Sequence, residues 1–402
     1  MPRLAAIVLV LATSTALAAP AAAYDEADLK HRISAEMNRA GRASGAYVSD
    51  AASGRRIYGR RATLPRIPAS VEKLYTTSTA LLTLGPAATL ATAAVTAGSI
   101  DESGVLHGDL VLVGQGDPFF GAQGSARLAS AVRKAGIRAV DGAVVGDESY
   151  FDRRRAARFN GYDGDLTGVL SALAYDRGIF RGRARLDAGR FAAQRFAAEL
   201  RRLGVRTTKS SRAGTAPAGA ASVASWRSMN VGELSRFVNV PSNNFAAEML
   251  LKGLGARYRG KGATGTGASV VRQTLAGFGV RPRIEDGSGL SRANRTTPLE
   301  VVRLLEGMYA TDAGLAFRAS LAVAGRTGTV ARRMRGTRAA GRCQVKTGTL
   351  SNVSALAGYC RARNGRDISF ALLMNRVSPA GARAIQDRIA IAIARLDTTT
   401  GG

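Results

Sequence analysis

From Leu74 to Ile100 the chain carries no charged side chain, and the last charge before that run is Lys73. The run opens with Leu74 to Leu84, good or neutral helix residues, and Gly85-Pro86 forms a stop signal behind them. A helix this apolar belongs inside a protein, so the lysine at its head is drawn inside with it. Desolvation disfavours an ammonium ion and lowers its pKa toward the range where the amine accepts a proton. Ser70 lies three residues earlier and shares the helix face of Lys73, behind an extended lead-in with prolines at Pro65 and Pro68. A serine beside such an amine is a nucleophile with its own base. Ser-x-x-Lys also describes a capped surface helix with a solvated lysine, so the chemistry needs further support.

The 402 residues suffice for two domains, or for one domain with a large insertion. Hydrophobic residues make up 46% and charged residues 21%, which is globular and not disordered. The formal net charge of +28 comes almost wholly from arginine, since the chain has only seven lysines. These charges are scattered, and with 6% aromatic residues they make no stacking platform for nucleic acid. They fit attraction to an anionic cell-wall polymer or membrane surface, or a plain compositional bias toward arginine. Residues 1–23 read as a secretory signal peptide: a basic start at Arg3, an apolar core from Leu4 to Ala18, and Ala21-Ala22-Ala23 at the cleavage site. No other stretch reaches spanning length without charges or turn residues, so an exported protein without a transmembrane anchor is expected: periplasmic, cell-wall-associated or secreted.

Periodicity and turn signals divide the rest. Residues 24–96 start with a helix from Ala27 to Ala40 and a hairpin across Ala52-Ser53-Gly54, followed by the Ser70 helix. Residues 97–222 change texture to short strands bounded by Gly and Asp, with helices near Ala126–Ala135 and Ala192–Leu203, and close in an Ala/Gly/Ser-rich loop. Residues 223–402 hold four helices, then strands at 342–350, 353–362 and 367–376 and a closing helix at 381–396. Strands at both ends with helices between them predict one antiparallel sheet flanked by helices, interrupted by an inserted smaller α/β module. The fold class is therefore α+β.

Two further motifs bear on Ser70. Ser242-Asn243-Asn244 sits in a turn before a helix, where a Ser-x-Asn is usually a local cap. Lys346-Thr347-Gly348-Thr349 lies on a closing strand, offering a cation, hydroxyls and a glycine that lets another backbone approach. In the order Ser-x-x-Lys, Ser-x-Asn, Lys-Thr-Gly, the chain resembles the penicillin-recognising serine acyl-transferases. Further stretches, Leu110 to Pro118, Val144 to Asp147, Asp286 to Arg292 and Gly341 to Gly358, narrow the resemblance to the low-molecular-mass class C penicillin-binding proteins. These are the D-alanyl-D-alanine carboxypeptidase/endopeptidases of peptidase family S13, with the fold of the serine β-lactamases, and the likeness runs from about residue 28 to residue 395.

The resemblance implies a role for each matching residue. Ser70 would attack the carbonyl of the penultimate D-alanine of a peptidoglycan stem peptide, and Lys73 would take its proton. Ser242 would relay a proton to the leaving amine, while Asn244 would hold Lys73 and the substrate amide. Lys346 and Thr347 would bind the terminal carboxylate, and the backbone N–H groups of Ser70 and Thr349 would form the oxyanion hole. β-Lactams would acylate Ser70 as covalent inhibitors. A β-lactamase or esterase on the same fold, and a non-catalytic wall-binding protein, are the alternatives. Neither His31 nor His107 resembles a triad member, and the chain shows no metal-ligand cluster, so neither metal nor cofactor is expected. Two departures stand out: Asn243 replaces the family's usual Asp, and the insertion is short for the family. Asp147, at the end of a module strand, either reaches the cleft to meet a diamino-acid side chain or caps a turn. Cys343 and Cys360 flank a turn near Ser351-Asn352 as cross-strand neighbours, which predicts a disulfide suited to an oxidising compartment.

Overall fold

The computed structural model describes residues 25–157 and 159–397, so the expected signal segment lies outside the described residues. The first helix, Glu26–Arg39, is capped by Asp25, whose carboxylate accepts from the Asp28 N–H at 2.9 Å. It buries Leu29, Ile33 and Met37, one residue per turn on a single face. Each such side chain contributes on the order of 1.5–3 kcal/mol when removed from water.

That face packs on a six-stranded sheet with the order Ala322–Val323, Cys343–Leu350, Val353–Arg361, Asp367–Asn375, Ser44–Asp50, Arg56–Arg60. Every pairing in it is antiparallel. The N-terminal hairpin joins the C-terminal meander through Ser44–Asp50, which runs from Ser44 opposite Met374 to Asp50 opposite Ile368. The sheet is covered on both faces, so its central strands are buried nearly end to end. Alternation along them sorts the two sides. Leu356, Cys360, Phe370 and Leu372 face the terminal helices Glu26–Arg39 and Pro379–Arg395. Ala355, Ala357, Tyr359 and Leu373 face the helical layer that holds Lys73–Thr83, Asn244–Arg259, Thr264–Leu275 and Pro298–Tyr309. Cys343 stands opposite Cys360 in register, and the two are joined by a disulfide.

The second sheet has the order Arg212–Ala213, Val144–Asp147, Leu110–Gly114, Thr89–Thr96, Ala221–Asn230. Leu110–Gly114 and Val144–Asp147 are parallel, joined across by helix Ala122–Lys134. This sheet, helix Ala122–Lys134 and helix Ala188–Arg202 share their own apolar core. Thr89–Thr96 and Ala221–Asn230 pair antiparallel within it. We therefore propose that the inserted module spans residues 89–230, wider than the 97–222 expected from composition. The Ala/Ser-rich stretch read as a closing loop ends inside a strand, and the pairing of the two flanking strands could not be seen from either alone. Among the described residues no helix is long and apolar enough to cross a membrane.

Candidate active site

The serine sits at the junction of two kinds of helix. A short 3₁₀ turn, Ala69–Glu72, leads into the α-helix Lys73–Thr83. Ala69 adopts a left-handed backbone, φ 47°, a conformation costing roughly 1–3 kcal/mol that tends to persist where function holds it. Two glycines press on this corner. A Cβ at Gly289 would overlap the Ala69 carbonyl, and one at Gly348 would stand 2.6 Å from the Pro68 carbonyl oxygen and 3.0 Å from the Ser70 nitrogen. Strand Cys343–Leu350 thus runs directly against the serine, as its glycine permits.

Lys73 is fully buried. Its Nζ lies 3.0 Å from Ser70 Oγ, 2.7 Å from Asn244 Oδ1 and 2.5 Å from the Ser288 carbonyl oxygen. Burial pushes its pKa down to about 7, against the opposing pull of Asp286, Glu248 and Glu72. A neutral amine has two N–H donors and one lone pair. Two of the three neighbours are carbonyl oxygens, which only accept, so the lone pair is left for the Ser70 hydroxyl. Asn244 is held in turn by its Nδ2, which donates to the Asp165 carbonyl at 2.8 Å.

Ser242 lies in the turn before helix Asn244–Arg259, also with a left-handed backbone, φ 63°. Asn243 caps that helix, its Oδ1 accepting from the Ala246 N–H at 2.9 Å. The acceptor oxygen of Asn serves this purpose as an Asp would, so the departure at position 243 leaves the local fold intact. Lys346, wholly buried, donates from Nζ to Ser242 Oγ at 2.9 Å and to the Thr347 carbonyl at 2.7 Å. Burial, helped by the neighbouring Lys73 charge, holds its pKa well below the ordinary lysine value. Thr347 Oγ1 donates to Thr329 Oγ1 at 2.7 Å, and Thr349 is exposed beside the serine corner.

The residues named from the three motifs therefore share one cluster; Asp147, the further candidate, is bonded elsewhere. Its two carboxylate oxygens accept from the Ser149 N–H at 2.8 Å and the Ala216 N–H at 2.7 Å, so it caps turns within the second module. Sequence reasoning passed over three participants: the Ser288 carbonyl, the Asp165 carbonyl and Glu248. Backbone acceptors leave no trace in residue identity. Glu248 did leave one, as the single charge in the run from Phe245 to Leu251.

A serine beside a buried lysine, on this fold, is the arrangement of a serine-type hydrolase. The chain belongs to the D-Ala-D-Ala carboxypeptidase 3 (S13) family, whose model matches residues 26–167 and 163–396. It is similar to the D-alanyl-D-alanine carboxypeptidase of Actinomadura sp. (strain R39), 31% identical with 88% of this chain and 81% of that protein covered. Carboxypeptidase DacB of Mycolicibacterium smegmatis is also 31% identical, covering 86% of this chain and 79% of its own length. Among solved structures, penicillin binding protein 4 (dacB) from Haemophilus influenzae aligns with a TM-score of 0.79 at 20% identity, covering 91% of this chain and 99% of that one. The predatory peptidoglycan endopeptidase Bd3459 from Bdellovibrio bacteriovorus aligns with a TM-score of 0.55 at 20% identity, covering 83% and 86%. At such identities these two structures speak for the fold.

Proposed function

We propose that the protein is an exported D-Ala-D-Ala carboxypeptidase that trims peptidoglycan stem peptides through an acyl-enzyme on Ser70 and is inhibited by β-lactams. The observation that carries this reading is the Lys73 amine, buried and held by two carbonyls with its third neighbour the Ser70 hydroxyl. Lys73 takes the hydroxyl proton as Ser70 Oγ bonds to the carbonyl carbon of the penultimate D-alanine. The negative charge that develops on the carbonyl oxygen meets the N–H groups of Ser70 and Thr349, a pairing supported by the close passage of the strand at Gly348 against the Ser70 nitrogen. When the C–N bond breaks, the Ser242 hydroxyl gives its proton to the departing D-alanine amine and takes one in turn from the Lys73 ammonium. Lys73 is then neutral again, and one proton, equivalent to that lost by Ser70, ends on the product. Water then hydrolyses the ester, releasing the shortened peptide and restoring the serine.

Lys346 and Thr347 supply donors for the terminal carboxylate. The arriving anion favours the protonated form of Lys346, which its buried position otherwise disfavours. Endopeptidase cleavage of cross-links would use the same acylation, with a larger leaving amine.

Intact-mass measurement after benzylpenicillin, followed by mapping of the modified peptide, tests the reading. One covalent addition at Ser70, absent from Ser70→Ala, is expected. An unlabelled wild-type protein overturns it.

A further inference from the structure

Beneath the Lys73 amine lies a group of buried acids that the reaction as written does not use. Glu72 and Glu248 are both fully buried, and so is Asp286. Asp286 is spent on its own loop: its carboxylate accepts from the Gly289 N–H at 2.8 Å, the Ser291 N–H at 2.6 Å and Asn294 Nδ2 at 2.8 Å. Glu248 is different. It comes from the helix that also carries Asn244, and its Oε1 accepts from the Ser288 N–H at 2.8 Å. The carbonyl of that same Ser288 is the 2.5 Å acceptor for Lys73. One peptide-bearing residue thus has its N–H pinned by Glu248 and its C=O pinned to the base. The Glu248 carboxyl also draws on the Ser288 hydroxyl and the Gly287 N–H, so it grips the Ser288 turn as a whole, whereas neither oxygen of Glu72 has a hydrogen-bond partner among the described residues. An acceptor gathered on the one residue that faces the base ties the Glu248 position to that residue's orientation.

We propose that Glu248 is a positioning residue for the catalytic base, holding the Lys73 amine through the backbone of Ser288. The proposal rests on Lys73 being the base for Ser70. Its geometry makes two demands. An acceptor must remain at the Glu248 position to keep the Ser288 carbonyl turned toward Lys73. Burial and the neighbouring Asp286 push the Glu248 pKa up to about 7, so where that carboxyl is ionised, at neutral pH and above, its charge must favour the ammonium form of Lys73, since an anion nearby stabilises a cation. The other charged groups facing Lys73 are Glu72 on its own turn, Asp286 on the Ser288 loop and Lys346 on the strand. Glu248 itself faces Asp286 and Glu72, and Lys252 stands one turn further along its helix, bonded to Asp152 at 2.6 Å.

Two variants separate geometry from charge. Glu248→Ala removes the acceptor and frees Ser288, so acylation by a fluorescent penicillin is expected to slow about 10- to 100-fold, the range for a reacting group displaced by roughly an ångström. Glu248→Gln keeps an amide oxygen for the Ser288 N–H but removes the charge. It is expected to retain most of the limiting rate while the midpoint of its pH–rate profile moves to lower pH. Circular dichroism and melting curves establish that each protein is folded. A folded Glu248→Ala protein acylating at the wild-type rate overturns the proposal. So does a Glu248→Gln protein with an unmoved midpoint, which a merely structural glutamate would give. Failure of wild-type labelling would instead remove the reading beneath it, and the two failures are thereby distinguished.

Discussion

Lys346 Nζ donates to Ser242 Oγ at 2.9 Å, tying the closing strand to the turn of the second motif. The same amine is fully buried, and its proton is held weakly because burial and the Lys73 charge both oppose it. A substrate carboxylate changes that balance. Binding of a non-reactive D-alanyl-D-alanine analogue at pH 8 is therefore expected to take up protons from solution. Calorimetry in two buffers of different ionisation enthalpy measures the uptake. Equal apparent heats would mean that Lys346 does not titrate on binding.

Acylation should follow the protonation of Lys73. Its pKa is lowered to about 7 because the buried ammonium is poorly solvated, and the base works only when neutral. The rate of penicillin acylation is thus expected to rise with pH through about 7 and to fall roughly tenfold per unit well below it. Stopped-flow labelling across pH 5 to 9 gives the curve. A rate flat over that range would exclude Lys73 as the titrating base.

Gly289 is fixed by two constraints at once. Its backbone is left-handed, φ 83°, and a side chain would run into the Ala69 carbonyl. Gly289→Ala is expected to cost about 1–3 kcal/mol of stability and to slow labelling as well, because the clash falls on the residue before the nucleophile. Denaturant titration and labelling rates check both effects.

The Cys343–Cys360 bridge joins directly opposed strand positions at a sequence separation of 17. Removing both sulfurs with Cys343→Ala/Cys360→Ala should lower stability by about 2–4 kcal/mol. The strand with Lys346 lies on the same hairpin, so the double variant is expected to label at near wild-type rate while melting earlier. A simultaneous loss of labelling would show that the bridge also sets the site.

Much of the site was legible because its chemistry is written in side chains of unusual context. A lysine at the head of an uncharged helix signals its own burial, and Ser70, Asn244 and Lys346 follow from their motifs. The antiparallel sheet was readable because its strands from 342 to 376 are short apolar runs separated by turn residues such as Asn364-Gly365. The edges of the inserted module were not. Thr89–Thr96 is built of Thr, Ala, Leu and Val with only Thr92, Ala94 and Thr96 buried, and Ala221–Asn230 has a single buried residue, Ser228. Each is held in place by pairing with the other, a non-local fact absent from both. Asp147 carried two readings because a carboxylate at a strand end satisfies a turn and a ligand equally well. Its bonds to the Ser149 and Ala216 N–H groups support the turn.

The pairing of Thr89–Thr96 with Ala221–Asn230 also means that the chain departs from the host and comes back at almost the same point. Seen from the six-stranded sheet, what lies beyond that double stalk is not a free pendant, for Phe151, Leu166 and Leu170 share a buried cluster with Phe245 and Met249 of the helix that carries Asn244. Lys252 of the same helix donates to Asp152, and the Asp165 carbonyl holds Asn244 itself. The appendage therefore buttresses the wall behind the nucleophile's corner, and a replacement grafted onto the stalk would have to rebuild that support.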